Sequence, residues 1–158
     1  NPDYRLVLCG DGEALDEIKA CATKDSRIKY MGALKQKEAV ALQQSATLLV
    51  NPRRGGEEFT KYSFPSKIIE YMYAAKPVLC FKLEGIPNEY DDYLQYFKSF
   101  KHEAMMEDMV RICQEDEDTL KKLGEKNRDF VIGKKNIRVS AQKIIDMIYL
   151  ATGNKEKI

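Results

Sequence analysis

Two prolines frame the stretch that most restricts what this chain can fold into. Within residues 62–81, Pro65 stands near the start of a segment with helical spacing and Pro77 stands at its end. Ser63 is a plausible N-cap, and a proline in the first turn gives up only an N–H that has no intrahelical acceptor anyway. The spacing therefore predicts a helix starting near Phe64. Ile68, Ile69, Met72 and Ala75 fall on one face of it. Pro77 denies it a continuation, and residues 78–81 form a short apolar run suited to a buried strand. A helix that hands the chain directly to a buried strand is an αβ unit, and such units build parallel sheets.

The other side of that helix carries a different message. Ser63, Ser66 or Lys67, and Glu70 recur at helical spacing, so hydroxyl, ammonium and carboxylate share one stripe. The stripe begins at the positive end of the helix dipole, where backbone N–H groups favour a phosphate or diphosphate. Glu70 lies about 6 to 10 Å along the axis at 1.5 Å per residue, the span of a ribose joined to a diphosphate. A bland reading competes with this one: Ser63 as a cap and Lys67 with Glu70 as a solvated surface pair.

The remaining segments repeat the pattern. Residues 4–9 read as a strand closed by Gly10-Asp11-Gly12, and Leu15, Ile18, Cys21 and Ala22 mark an amphipathic helix after it, with Asp11 as its simplest N-cap. Strand, glycine turn and helix form a phosphate-cradle layout, although such turns need glycine for backbone reasons alone. Residues 27–31 read as a second strand, ended by Gly32-Ala33-Leu34 and followed by a helix with Ala39, Val40 and Leu42 on its apolar face. A short β-prone run follows at 47–50. Residues 53–61, with two glycines and five charges, read as a mobile loop. Its Arg53, Arg54 and Lys61 would lend charge to a diphosphate or simply be solvated. Beyond Phe81 come a turn at 83–87, a short helix over 88–96 with Tyr90, Tyr93 and Leu94 inward, and an edge strand near 96–100. Two helices follow, one on Met106, Met109, Val110 and Cys113, the other on Leu120, Leu123 and Phe130. A closing helix at 139–150 and a polar tail end the chain.

Strands and helices in alternation with short connections predict an α/β fold with a doubly wound parallel sheet. Ligands on such sheets bind at the carboxyl ends of the strands, where Gly10 to Gly12, Gly32 to Leu34 and Ser63 to Lys67 are all expected.

Phe64-Pro65-Ser66-Lys67-Ile68-Ile69-Glu70-Tyr71-Met72, with Ala75-Lys76-Pro77-Val78, resembles the donor-site signature of the GT-B glycosyltransferases of family 4 in their capsular and cell-surface polysaccharide form. Gly10-Asp11-Gly12 is similar to the family's glycine turn, and Lys135, Asn136, Ala141, Lys143, Ile144 and Ile145 to its closing helix. The resemblance covers nearly the whole chain, as the Rossmann-like carboxyl-terminal half of such an enzyme without its first strand and helix. It implies a single donor-binding domain over residues 1–158, inactive by itself, from a retaining, metal-independent enzyme that moves a sugar from a UDP- or GDP-sugar to a growing polysaccharide or lipid-linked glycan. The implied donor contacts are Gly10, Gly12, Ala33, Leu34, Ser63, Phe64, Pro65, Ser66, Lys67 and Glu70, with Ala33 and Leu34 against the base. The catalytic residues are expected in an acceptor-binding domain outside this chain, and no metal or other cofactor is implied. The family usually carries two glutamates separated by seven residues. Glu70 matches the second, Tyr62 stands at the first, and Glu57 or Glu58 are the candidates to replace it.

Composition narrows the alternatives. In 158 residues, 26 Lys and Arg face 25 Asp and Glu, a net charge of +1 that argues for no nucleic-acid partner. Length and the 44% hydrophobic content suit one soluble domain. Cys9, Cys21, Cys80 and Cys113 form no Cys-x-x-Cys pair, and Cys9 and Cys80 lie in apolar runs, so they read as reduced core residues of a cytoplasmic protein. No apolar run reaches membrane-spanning length and no signal-peptide pattern opens the chain, so it reads as neither inserted nor secreted, and peripheral association of the full-length enzyme with the inner membrane face stays open. The acidic run at 115–118 and the lone His102 offer no metal-ligand set. Two other classes stay open: a non-catalytic nucleotide-binding or regulatory subunit completed by a partner chain, and a flavodoxin-like signalling domain.

Overall fold

The computed structural model describes residues 3–153. The order of elements is β1 (Leu6–Leu8), α1 (Leu15–Lys24), β2 (Ile28–Tyr30), α2 (Gln36–Ser45), β3 (Leu49–Asn51), α3 (Glu58–Tyr62), α4 (Ser66–Tyr73), β4 (Val78–Cys80), a 3₁₀ turn at Asn88–Tyr90, β5 (Gln95–Tyr96), α5 (His102–Cys113), α6 (Glu117–Lys134) and α7 (Ile137–Thr152). All strand pairs are parallel, in two small sheets of order β1-β2 and β3-β4-β5. The fold is thus the expected mixed α/β class, with the parallel strands and crossover helices of a Rossmann-like half domain. The tail from residue 154 onward lies outside the described residues.

The chain divides into two compact units, Asn1–Leu42 and Gln43–Ile158. In the first, Leu6 pairs with Ile28 and Leu8 with Tyr30, and α1 packs on β2. None of its described residues is buried. Leu6 remains 47% exposed and Met31 49%. Cys9 and Cys21 are exposed too, which corrects the expectation that all four cysteines are core residues; Cys80 is buried and Cys113 half-buried.

The second unit holds the core. β4 is buried along its whole length between β3 and β5, as a central parallel strand must be. Ile68 and Met72 of α4 are fully buried beside it, together with Phe81, Leu83, Ile86, Tyr90, Leu94, Phe97, Ile112, Phe130 and Val131. Each such side chain contributes roughly 1.5 to 3 kcal/mol relative to exposure. Phe130 stacks on Tyr93 with ring centroids 4.1 Å apart. Burial pushes the Cys80 thiol up to about 12 against a slight lowering by Lys82, so it is inert at neutral pH.

The contact of α4 with α6 depends on a glycine. A Cβ on Gly124 would lie 2.0 Å from the carbonyl oxygen of Ala75, closer than any real contact. Ala75 itself turns the chain at φ 58°, and the buried Asn127 donates from Nδ2 to Lys76 O at 2.9 Å. The end of α4 and the entry to β4 are therefore clamped by α6, and Asn127 Oδ1 is left without a partner.

Several local expectations give way to tertiary context. Residues 53–61 are not all loop, since α3 occupies Glu58–Tyr62 with Thr60 buried. Residues 88–96 form a single 3₁₀ turn and then β5 instead of one helix. Tyr90 and Leu94 do turn inward, Tyr93 half so. On α5 the buried side runs through Asp108 and Ile112 while Met106 is exposed, because Asp108 Oδ2 accepts the backbone N–H of Lys98 at 2.9 Å and so draws that face in. On α6 the buried positions are Gly124, Asn127, Phe130 and Val131. α7 starts on an Asn136 cap and has no buried residue.

Candidate functional site

α4 carries the polar stripe on a core-anchored helix. Ile68 and Met72 hold one side in the interior, and on the other Ser66, Lys67 and Glu70 are exposed. Lys67 Nζ and Glu70 Oε2 are 2.7 Å apart, an i,i+3 ion pair open to solvent. Such a pair contributes well under about 1 kcal/mol, so a stronger anion or a hydroxyl pair can compete for either partner. At the start of the helix the Ile68 N–H donates to Pro65 O at 2.9 Å.

The helix start differs from the expected one. α4 begins at Ser66, with Pro65 as N-cap in extended conformation and no side-chain cap. Ser63 is instead the C-cap of α3, and its Oγ accepts a hydrogen bond from the Arg53 guanidinium at 2.8 Å. Ser63 therefore does not cap α4. It ties the preceding segment down. Phe64 is half-buried with its ring 4.9 Å from that of Tyr90, and Pro65 is buried, so both shape the entry to α4 from within.

The segment ahead of α3 is held at several points. Arg53 lies over the Phe59 ring at 5.1 Å and Arg54 over Phe100 at 5.8 Å. Thr60 donates its hydroxyl hydrogen to Glu57 O at 2.6 Å. Reading residues 53–61 as a mobile solvated loop missed these contacts. Ten residues separate Arg53 from Ser63, and no periodicity signals such a pairing. Tyr62, at the position of the first glutamate, is 84% exposed, and Glu57 and Glu58 are exposed as well.

In the first unit the two glycine turns meet. Gly10 N–H donates to Gly32 O at 2.9 Å, and the Tyr30 hydroxyl donates to Gly10 O at 2.6 Å. Gly10 has φ 125°, a conformation closed to ordinary side chains, which explains a glycine directly after β1. Asp11 does not cap α1: Asp11 Oδ1 accepts from Gly12 N–H at 2.9 Å, and α1 starts at Leu15 with no side-chain cap. The turn closes one side of a cavity of about 260 Å³ lined by Leu8, Gly10, Gly12, Leu15, Ile18 and Tyr30 among others. Ala33 is exposed and Leu34 half-buried just beyond Gly32. Gly10, Gly12, Ala33 and Leu34 belong to this unit, and residues 63–70 to the second.

Among the described residues no cluster of His, Cys, Asp and Glu has metal-binding geometry, and no helix is long and apolar enough to cross a membrane. The acidic run at 115–118 starts α6, where Asp116 accepts from Thr119 N–H and its carboxyl is held below the usual range by the Thr119 hydroxyl and then its backbone N–H.

Compared with known proteins, residues 1–115 match the family model described as glycosyl transferases group 1. No curated protein matches the chain.

Proposed function

The chain belongs to the group 1 glycosyl transferases, and from that premise we propose that it is the nucleotide-sugar-binding, carboxyl-terminal half of a GT-B enzyme of the capsular or cell-surface polysaccharide type. The observation that carries the proposal is the exposed stripe of Ser66, Lys67 and Glu70 on a helix whose opposite side is locked into the core. The leaving group of the transfer is a nucleoside diphosphate, which departs with the electron pair of the bond to the anomeric carbon. The N-terminal N–H groups of α4, the Ser66 hydroxyl and the Lys67 ammonium stabilise the charge that develops on it. Glu70 exchanges its ion pair for the hydroxyls of the ribose, releasing Lys67 toward phosphate. Pro65, Phe64 and Ser63 hold the approach to the helix. Gly10, Gly12, Ala33 and Leu34 lie in the first unit, and the family resemblance alone makes them candidate donor contacts. The acceptor is a growing polysaccharide or lipid-linked glycan, the anomeric configuration is retained, no metal takes part, and the enzyme works in the cytoplasm or at the inner membrane face.

Titration of UDP, GDP and their sugar conjugates into the full-length protein and its Glu70→Ala variant tests this reading. The variant is expected to weaken binding by about 1 to 3 kcal/mol, the cost of removing a charged acceptor. Equal affinity would reduce Glu70 to a surface residue and overturn the site.

A further inference from the structure

The backbone that leads into α4 lies directly on the turn that follows β4. Leu83 and Ile86 are both buried, and Ile86 N–H donates to Leu83 O at 3.0 Å, closing a tight turn with Gly85 inside it. A Cβ on Gly85 would stand 2.6 Å from the carbonyl oxygen of Ser63 and 3.0 Å from that of Thr60. Gly85 does not have the positive φ that excludes side chains, so space alone bars one there. The turn has no room to retreat, because Leu83 and Ile86 anchor it in the core on either side. A side chain at Gly85 must push outward the backbone of residues 60–63 that carries the Ser63 hydroxyl bound to Arg53, and with it the Pro65 cap of α4.

We propose that Gly85 is a positioning residue for donor binding, setting the place of Ser63 and of the start of α4 through backbone contact alone. The proposal rests on the donor reading given above. Gly85 has no contact with donor in this scheme. It defines the surface on which the donor-binding segment lies.

The test uses the full-length protein with UDP as probe, comparing wild type, Gly85→Ala, Ser63→Ala, the double variant, and Gly133→Ala as a glycine replacement with nothing within 4 Å. Misplacing a positioning group by 1 Å costs up to about a hundredfold, so Gly85→Ala is expected to raise the UDP dissociation constant and the donor KM at least about tenfold. The acceptor KM stays unchanged, and Gly133→Ala binds as wild type. Because Gly85 acts through Ser63, adding Ser63→Ala to Gly85→Ala is expected to cost little more, a non-additivity that general destabilisation does not produce. Wild-type donor affinity in Gly85→Ala, or fully additive losses, would overturn the inference. Should Gly85→Ala fail to fold, hydrogen exchange on the wild type decides: UDP is expected to protect residues 60–63 and 83–86 together, and protection confined to 66–70 sinks the idea. If the wild type binds neither UDP nor GDP, the donor reading and this inference fall together. If it binds and Gly85→Ala binds equally well, only the inference falls.

Discussion

The two units are built from the same sequence grammar and reach different ends. Each has short parallel strands, glycine-bearing turns and amphipathic helices. In Gln43–Ile158 the central strand β4 is sealed by β3, β5 and α4, and every one of its residues is buried. In Asn1–Leu42 the strands β1 and β2 make one pair, no described residue is buried, and Leu6 and Val7 face outward. An apolar strand is therefore a necessary condition for a core and not a sufficient one. Burial needs layers on both faces of the sheet.

Thiol chemistry gives the widest separation between the units. Cys9 and Cys21 are expected to react with a thiol reagent at pH 8 within the first phase, while Cys80, buried and pushed up to about 12, reacts about a thousandfold more slowly. Four equal rates would break the comparison. Core truncation comes next: Met72→Ala is expected to lose roughly 2 to 5 kcal/mol in urea unfolding and Leu6→Ala less than about 1 kcal/mol. A Leu6→Ala loss as large as that of Met72→Ala would mean that the first unit has a core of its own. Gly124→Ala, which forces a methyl against the Ala75 carbonyl, is expected to cost about 3 kcal/mol by the same measurement, and a wild-type unfolding midpoint would contradict the close contact of α4 with α6.

The smallest effects are in pH dependence, and the two units respond at opposite ends of the scale. The Arg27 guanidinium and backbone N–H hold the Asp25 carboxyl down to about 2. A carboxyl lowered in the folded state stabilises above its ordinary value, and that contribution fades as pH falls from about 4 toward 2. NMR titration is expected to give Asp25 a midpoint near 2 that returns to about 4 in Arg27→Ala. The Cys80 thiol is raised, so its contribution is complete below pH 9 and is lost as pH climbs toward 12. A Cys80→Ala variant whose alkaline stability profile matches wild type would remove that contrast.

Much of the architecture was legible in the residues. The apolar face of α4 through Ile68 and Met72, the strand after Pro77, and the glycine turns after β1 and β2 all follow from spacing and turn chemistry over a few positions. The polar stripe of Ser66, Lys67 and Glu70 was legible for the same reason, since one helix face is a local property. Ser63 was not. Its sequence context suits a cap, and only the approach of Arg53 from ten residues upstream assigns its hydroxyl elsewhere. The α3 turn and the inward Asp108 were missed on similar grounds, because a buried Thr60 and a Lys98 backbone N–H supplied partners that no periodic pattern announces.

By itself the sequence determined the alternation of elements, the parallel class of the strands and the polar face of α4, because these depend on interactions within a turn or two of chain. Tertiary structure alone decided which apolar strands are covered, where Ser63 is tied, and why Gly85 and Gly124 carry no side chain. Those outcomes depend on the approach of backbones remote in sequence, so close that an added Cβ would stand 2.6 Å from the Ser63 carbonyl oxygen at Gly85 and 2.0 Å from that of Ala75 at Gly124, which leaves no trace in composition or period.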